Sequence, residues 1–337
     1  MTTQRSLALV ESATQLLNVV EWAHATGEHG DLRVAVLCPK DSPTRSQLEQ
    51  VADLARGAGL DVDLVNIRAL GSGGMLGGVR LTRSLAAARR VVLGDPFSGL
   101  IQTLLPFVRA DEIVVVDDGT ATWEFASCID RGAPLVRWRL DPEGASSRAA
   151  RATRLLSPST SRTLTVFSCL DGATPEGATK AVNDYAWTKS WRTPEVVTGQ
   201  VDLLGASLVE TGMVDRTAYL TEVRRLASLF TSLRYLPHRH ETENRLAELE
   251  ALPGVRVQRA KLPVELTLRA GPVAHRVVTF PSTAAHTLPV VLAGTGVKVE
   301  VRGIDDAWFT PQTSTRAREF VARISADAPA RPLLEPA

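Results

Sequence analysis

Three cysteines, Cys38, Cys128 and Cys169, are too few and too scattered for a disulfide framework. No Cys-x-x-Cys pair occurs, so the usual spacing of a structural zinc site is missing too. Apolar runs of about 18 residues are lacking, and the N-terminal apolar stretch is too short for a secretory signal. A reducing, cytoplasmic setting without a transmembrane segment is therefore expected, with room left for peripheral contact at the inner face of a membrane. There is no excess of charge of one sign: 38 Lys and Arg face 37 Asp and Glu, a formal net charge of +1. A nucleic-acid partner would demand a basic stripe, so none is expected. The doublets Arg89-Arg90 and Arg224-Arg225 read as solvated helix ends. No GxxxxGK[ST], HExxH or poised Asp-x-Asp pair occurs, and Asp61-Val62-Asp63 reads as a solvated strand start. Neither a metal nor a cofactor is expected.

What is present is a repeated rhythm. At 337 residues the chain is about twice a typical domain, and 44% hydrophobic residues can fill two cores. Runs at 7–11 and 32–38 read as strands, and short β-branched runs at 62–67, 90–93 and 112–116 look buried on both faces; amphipathic helical stretches alternate with them. The rhythm resumes at 164–169, 202–205, 234–236, 255–258, 277–280 and 297–301. Helices are expected at 215–230 and 241–252, and a last one at 314–324 that packs back across the domain junction. Such alternation predicts parallel sheets covered by helices, with ligands at the carboxyl ends of the strands. The expected fold is α/β: two Rossmann-like, doubly wound domains facing a cleft. The predicted division is residues 1–155, residues 156–310, and a C-terminal helix and tail at 311–337. The small, polar, Arg-rich stretch 141–161 reads as the connection, with a short helix inside it.

Three strand ends carry chemistry. The run EIVVVDDGT places Asp117 and Asp118 at a strand's carboxyl end, where Gly119 permits a tight turn. Adjacent carboxylates raise each other's pKa, which suits a base, although the same residues could simply form a cap and a turn. In RYLPHRHETEN, Pro237 fixes the chain and presents His238 beside Arg239 at the mouth of the second sheet. An imidazolium there suits an oxygen gaining charge, and a surface cap is the plainer alternative. In VVTFPSTAAH, Ser282 and Thr283 stand where a helix begins, as an anion site or as an ordinary cap. Glu265, in KLPVELTL, could accept from ribose hydroxyls or be an ordinary first-turn acid.

Taken together and in this order, Asp117-Asp118-Gly119, Pro237-His238-Arg239 and Ser282-Thr283 resemble the marks of the bacterial sialyltransferases. Glycosyltransferase family 52 and the polysialyltransferase-like group are the nearest. Further similar stretches are VESATQLLNVVEWA, LLGASLVETGMV and PVE at Pro263–Glu265, so the resemblance runs from about residue 7 to residue 290. Arg239 stands where many relatives have proline, Thr283 replaces a second serine, and Ala13 stands where proline is frequent. The resemblance implies a glycosyltransferase of the GT-B type. Its reaction would be metal-independent, inverting transfer of sialic acid from CMP-sialic acid to a hydroxyl of a capsule or lipid-linked glycan. Asp118 would be the base, with Asp117 as the alternative. His238 would protonate or hydrogen-bond the departing phosphate held by Ser282 and Thr283. Glu265 would fix the ribose with Val264 beside the cytosine base, and Asp117 and Gly119 would line the site. The glycine-rich run at 71–78 would be a flexible loop on the acceptor side. The alternatives are a transferase for another CMP-activated acidic sugar, a UDP-sugar-modifying enzyme, and a non-catalytic glycan-binding protein.

Overall fold

The computed structural model describes residues 6–39, 42–67, 72–137, 146–329 and 331–332. The chain divides into two compact units, Met1–Trp187 and Thr188–Ala337.

The first unit holds strands β1 (Ser6–Val10), β2 (Leu32–Leu37), β3 (Asp61–Val65), β4 (Arg90–Leu93), β5 (Glu112–Val116), β6 (Thr163–Ser168) and β7 (Thr179–Val182). They form one sheet in the order β3-β2-β1-β4-β5-β6-β7, every pair parallel. The helices are α1 (Ala13–Thr26), α2 (Ser42–Gly57), α3 (Ser72–Ala87), α4 (Gly99–Leu104), α5 (Ala121–Asp130), α6 (Ser147–Leu156) and the short α7 (Ala186–Trp191) at the unit boundary. Central β1 is buried throughout and β5 nearly so, which explains their unbroken apolar runs. Leu9, Val91, Ile113 and Val166 pack in one core with Phe125 of α5 and Ala152 and Leu156 of α6.

The second unit continues with β8 (Val196–Leu204), α8 (Arg216–Leu229), β9 (Ser232–Leu236), α9 (Glu243–Glu250), β10 (Val255–Val257), α10 (Val264–Ala270), β11 (Val273–Thr279), α11 (Ala284–Val291), β12 (Lys298–Val301), α12 (Thr315–Ala326) and β13 (Arg331–Pro332). Its parallel sheet runs β10-β9-β8-β11-β12-β13. Counted from β8, this repeats the winding of the first sheet. Strand order reverses between β1 and β4 in one sheet and between β8 and β11 in the other, the switch points where doubly wound sheets leave room for ligands. The chain is thus an α/β protein of two Rossmann-like units.

Several details differ from the sequence-based expectation. The division falls after Trp187 instead of residue 155, because β6 and β7 pair onto β5 and extend the first sheet. The expected connection contains α6, whose Ala152 and Leu156 are core residues of the first unit; residues 141–145 lie outside the described residues. Residues 72–78 of the glycine-rich run are the start of α3, not a loop, while Gly71 lies outside the described residues. Strand β3 is an edge strand with alternating exposure, so it is not buried on both faces. The helix α12 belongs to the second unit. Among the described residues no helix is long and apolar enough to cross a membrane.

Candidate functional site

In the first unit, Asp117 and Asp118 follow β5, and Gly119 takes the left-handed φ of 67° that turns the chain into α5. The two aspartates have opposite fates. Asp117 is only 2% exposed and faces inward. Its Oδ1 accepts from Ser168 Oγ at 2.5 Å and Thr122 Oγ1 at 3.0 Å, and its Oδ2 from the Cys169 N–H at 2.8 Å. Burial pushes its carboxyl up to about 6 against the pull of those bonds. These bonds tie the end of β5 to the end of β6. Asp117, expected to touch substrate or to serve as the alternative base, thus has both oxygens engaged with Ser168, Thr122 and Cys169.

Asp118 is held by side chains from the start of α1 and from the chain after α5. Its Oδ1 accepts from Gln15 Nε2 at 3.0 Å, and its Oδ2 from Arg137 at 3.2 Å. The same Arg137 nitrogen donates to Asp95 at 2.7 Å, and Asp95 lies just past β4. One guanidinium thus bridges two carboxylates beside the switch point. Burial, and then the charge of Asp118, push the Asp95 carboxyl up to about 6, while Arg137 and the Phe97 N–H pull it down. A carboxylate has roughly four acceptor positions. Asp118 therefore keeps capacity for an incoming hydroxyl.

In the second unit, His238 lies in the turn between β9 and α9. Its Nδ1 accepts from the His240 N–H at 3.3 Å, which puts the proton of the neutral ring on Nε2. Burial, then the charges of Arg239 and His240, push it down to about 4. A neutral ring of this tautomer can donate a hydrogen bond from Nε2. Glu241 holds this turn from inside: Oε1 accepts from the His238 N–H at 2.7 Å, and Oε2 from the Tyr235 hydroxyl at 2.8 Å. Burial pushes the Glu241 carboxyl up to about 7 despite these bonds and Arg245. Arg245, buried over the Tyr219 ring at 4.2 Å, is 3.3 Å from Glu241 and 3.5 Å from Glu210.

Glu265 opens α10 but is only 4% exposed, and it accepts from Thr287 Oγ1 of α11 at 2.8 Å. Burial raises its pKa. One of its oxygens is thus committed to joining two helices, and Val264 beside it is half-buried. Ser282 Oγ lies 3.0 Å from Thr279 Oγ1 at the end of β11. Thr283 is the N-cap of α11 without a side-chain capping bond, so the ordinary cap is not what its hydroxyl does.

Sequence reasoning missed Gln15, Asp95, Arg137 and Glu241. Asp95 had a signal, since Gly94-Asp95 ends a β-branched run much as Asp117-Asp118-Gly119 does. Arg137 had none, as it sits in an irregular stretch after α5. Among the described residues no group of three or more His, Cys, Asp or Glu side chains could hold a metal ion.

No protein-family model matches the chain, and no curated protein matches it. Among solved structures it is similar to Anabaena HepE in complex with UDP and glucose, at 11% identity over 96% of this chain and 89% of that one, TM-score 0.49. It is also similar to a Photobacterium 2,6-sialyltransferase in complex with CMP and lactose, at 10% identity over 95% and 75%, TM-score 0.48. A third is UDP-GlcNAc 2-epimerase of Neisseria meningitidis bound to UDP-GlcNAc, at 13% identity over 94% and 85%, TM-score 0.47. These likenesses are too distant to bear on chemistry. The two Rossmann-like units stand on their own strand order.

Proposed function

We propose that the chain is a glycosyltransferase that moves sialic acid from CMP-sialic acid to a hydroxyl of a glycan acceptor, with inversion and without a metal ion. What carries this reading is the placement of its motifs: Asp118, His238 and Ser282 all follow carboxyl ends of strands, in the order of the sialyltransferase marks. Asp118 takes the proton of the acceptor hydroxyl as that oxygen bonds to the anomeric carbon. The bond from that carbon to the CMP phosphate oxygen breaks, and its electron pair leaves with the phosphate. His238 stabilises that oxygen as a hydrogen-bond donor through Nε2, and Ser282 and Thr283 bind the phosphate. Glu265 and Val264 contact the nucleoside, and Gly119 lets the backbone turn beside the base. The acceptor is a surface glycan such as a capsular or lipid-linked oligosaccharide, met in the cytoplasm or peripherally at the membrane.

The test is thermal stability of the full chain with CMP, CDP, UMP, UDP or GDP in excess EDTA. A nucleotide at 100 times its dissociation constant stabilises by about 2.7 kcal/mol, roughly 5–11 °C for a unit of this size. Cytidine nucleotides alone should raise the melting temperature. A shift with UDP alone points to a UDP-sugar enzyme, and no shift with any nucleotide removes the donor assignment.

A further inference from the structure

Asp118 needs a fixed direction if it is to meet a hydroxyl, yet the turn that carries it supplies only part of that. Its Oδ1 is steered by Gln15, a neutral side chain at the start of α1. Its Oδ2 depends on Arg137, whose side chain is 36% exposed and springs from irregular chain after α5. A long arginine so placed samples many rotamers unless something fixes it. Asp95 is well placed to do so. Its side chain is 10% exposed, and its Oδ1 accepts from the Phe97 N–H at 2.9 Å, which locks its direction. Its Oδ2 receives the Arg137 bond at 2.7 Å, the shorter of the two that this guanidinium nitrogen makes. The Phe97 ring completes the seat, its centroid 5.7 Å from the Arg137 Cζ.

We propose that Asp95 is a positioning residue for the transfer reaction: it holds the Arg137 guanidinium against Asp118 and thereby orients the base. The inference rests on the reading of Asp118 as the base. The groups facing Asp118 are Arg137 from the chain after α5, Asp95 from the end of β4 and the uncharged Gln15 from α1, while Asp117 is turned toward β6. Asp95→Asn is the informative variant. Its Oδ1 can still accept from Phe97, so the turn is kept, but an amide N–H₂ now opposes the guanidinium.

Two measurements on the full chain decide. The first is a ¹³C NMR titration of the Asp95 carboxyl. Its midpoint, about 6 in the wild type, should fall in Asp118→Asn, which removes a like charge, and rise in Arg137→Gln, which removes the counter-ion. A midpoint that ignores both substitutions overturns the proposal. The second is CMP release from CMP-sialic acid with lactose as probe acceptor, followed against pH. Asp95→Asn should lower kcat by up to about 100-fold, the scale of a misplaced catalytic group, with KM for the donor nearly unchanged. The wild-type acid limb near pH 6, where Asp95 gains its proton and releases Arg137, should disappear in that variant. A raised KM with normal kcat, or unaltered kinetics, overturns the positioning role while Asp118→Asn remains inactive. An active Asp118→Asn instead overturns the base assignment, and the positioning role with it.

Discussion

Adjacent identical residues can do different work, and Asp117 and Asp118 do. Asp117 spends both oxygens on Ser168, Thr122 and Cys169, whereas the Asp118 carboxylate meets, among the described residues, the long side chains of Gln15 and Arg137. The proposed chemistry gives Asp118→Asn and His238→Ala each a loss in turnover of about 100-fold or more, the usual scale for a general base or a charge-stabilising donor. Steady-state CMP release checks this, and near-normal turnover in a folded variant removes that residue from the mechanism. Gly205 shows how closely the backbone meets the support of the His238 turn. A Cβ there would lie 1.9 Å from Glu241 Oε1 and 2.6 Å from the Tyr235 hydroxyl. Gly205→Ala must therefore displace Glu241, and overpacking of this kind costs about 1–3 kcal/mol. A lowered melting temperature is expected; a variant as stable as the wild type means that Glu241 can move away freely.

At the scale of the element, α1 carries a buried polar stripe that ties strand ends together. Gln15, Asn18 and Glu21, three residues apart, are 3%, 1% and 2% exposed. Gln15 reaches Asp118, Asn18 donates to the Asp117 carbonyl at 2.9 Å, and Glu21 accepts from the Trp187 N–H at 2.9 Å. Asn183, just past β7, donates to Asn18 Oδ1 at 3.0 Å and closes the set. Asn18→Ala leaves the Asp117 carbonyl and the Asn183 amide buried without these bonds, at about 1–3 kcal/mol per unpaired group. Urea unfolding should show a lower midpoint, with the Asn18→Ala and Asn183→Ala effects strongly non-additive. Strict additivity would mean that the two amides do not share one network. Helix periodicity alone marks these positions as facing inward; it does not say that their polar groups find partners at the ends of β5 and β7 and in α7.

At the scale of the whole molecule, two units each carry a parallel sheet and a core of their own. Leu9, Val91 and Ile113 are buried in the first; Val201, Tyr235 and Val277 are buried in the second. The proposed donor residues His238, Glu265, Ser282 and Thr283 all belong to the second. Of two calorimetric transitions, the one belonging to that unit should therefore be the one CMP raises. Displacement of the other would place nucleotide binding elsewhere. The strands and their carboxyl-end motifs were legible because buried parallel strands demand uninterrupted β-branched runs, which stop where the chain turns. Thus 90–93 and 112–116 coincide with β4 and β5. The edge strand β7, with the sequence TKAV and mostly exposed, left no such mark.

By itself, then, the sequence determined the alternating α/β build, the two-unit organisation and the strand ends at which candidate residues stand, because these follow from local periodicity and turn chemistry. Only the tertiary structure decided that β6 and β7 extend the first sheet, since a strand's pattern does not name its neighbour. It also decided that Asp117 and the ring of His238 are drawn in from solvent, and that Asp95 and Arg137 meet Asp118. Burial and charge are set by groups distant along the chain, such as Arg137, 42 positions from Asp95. Such proximity exists only once the sheet has formed.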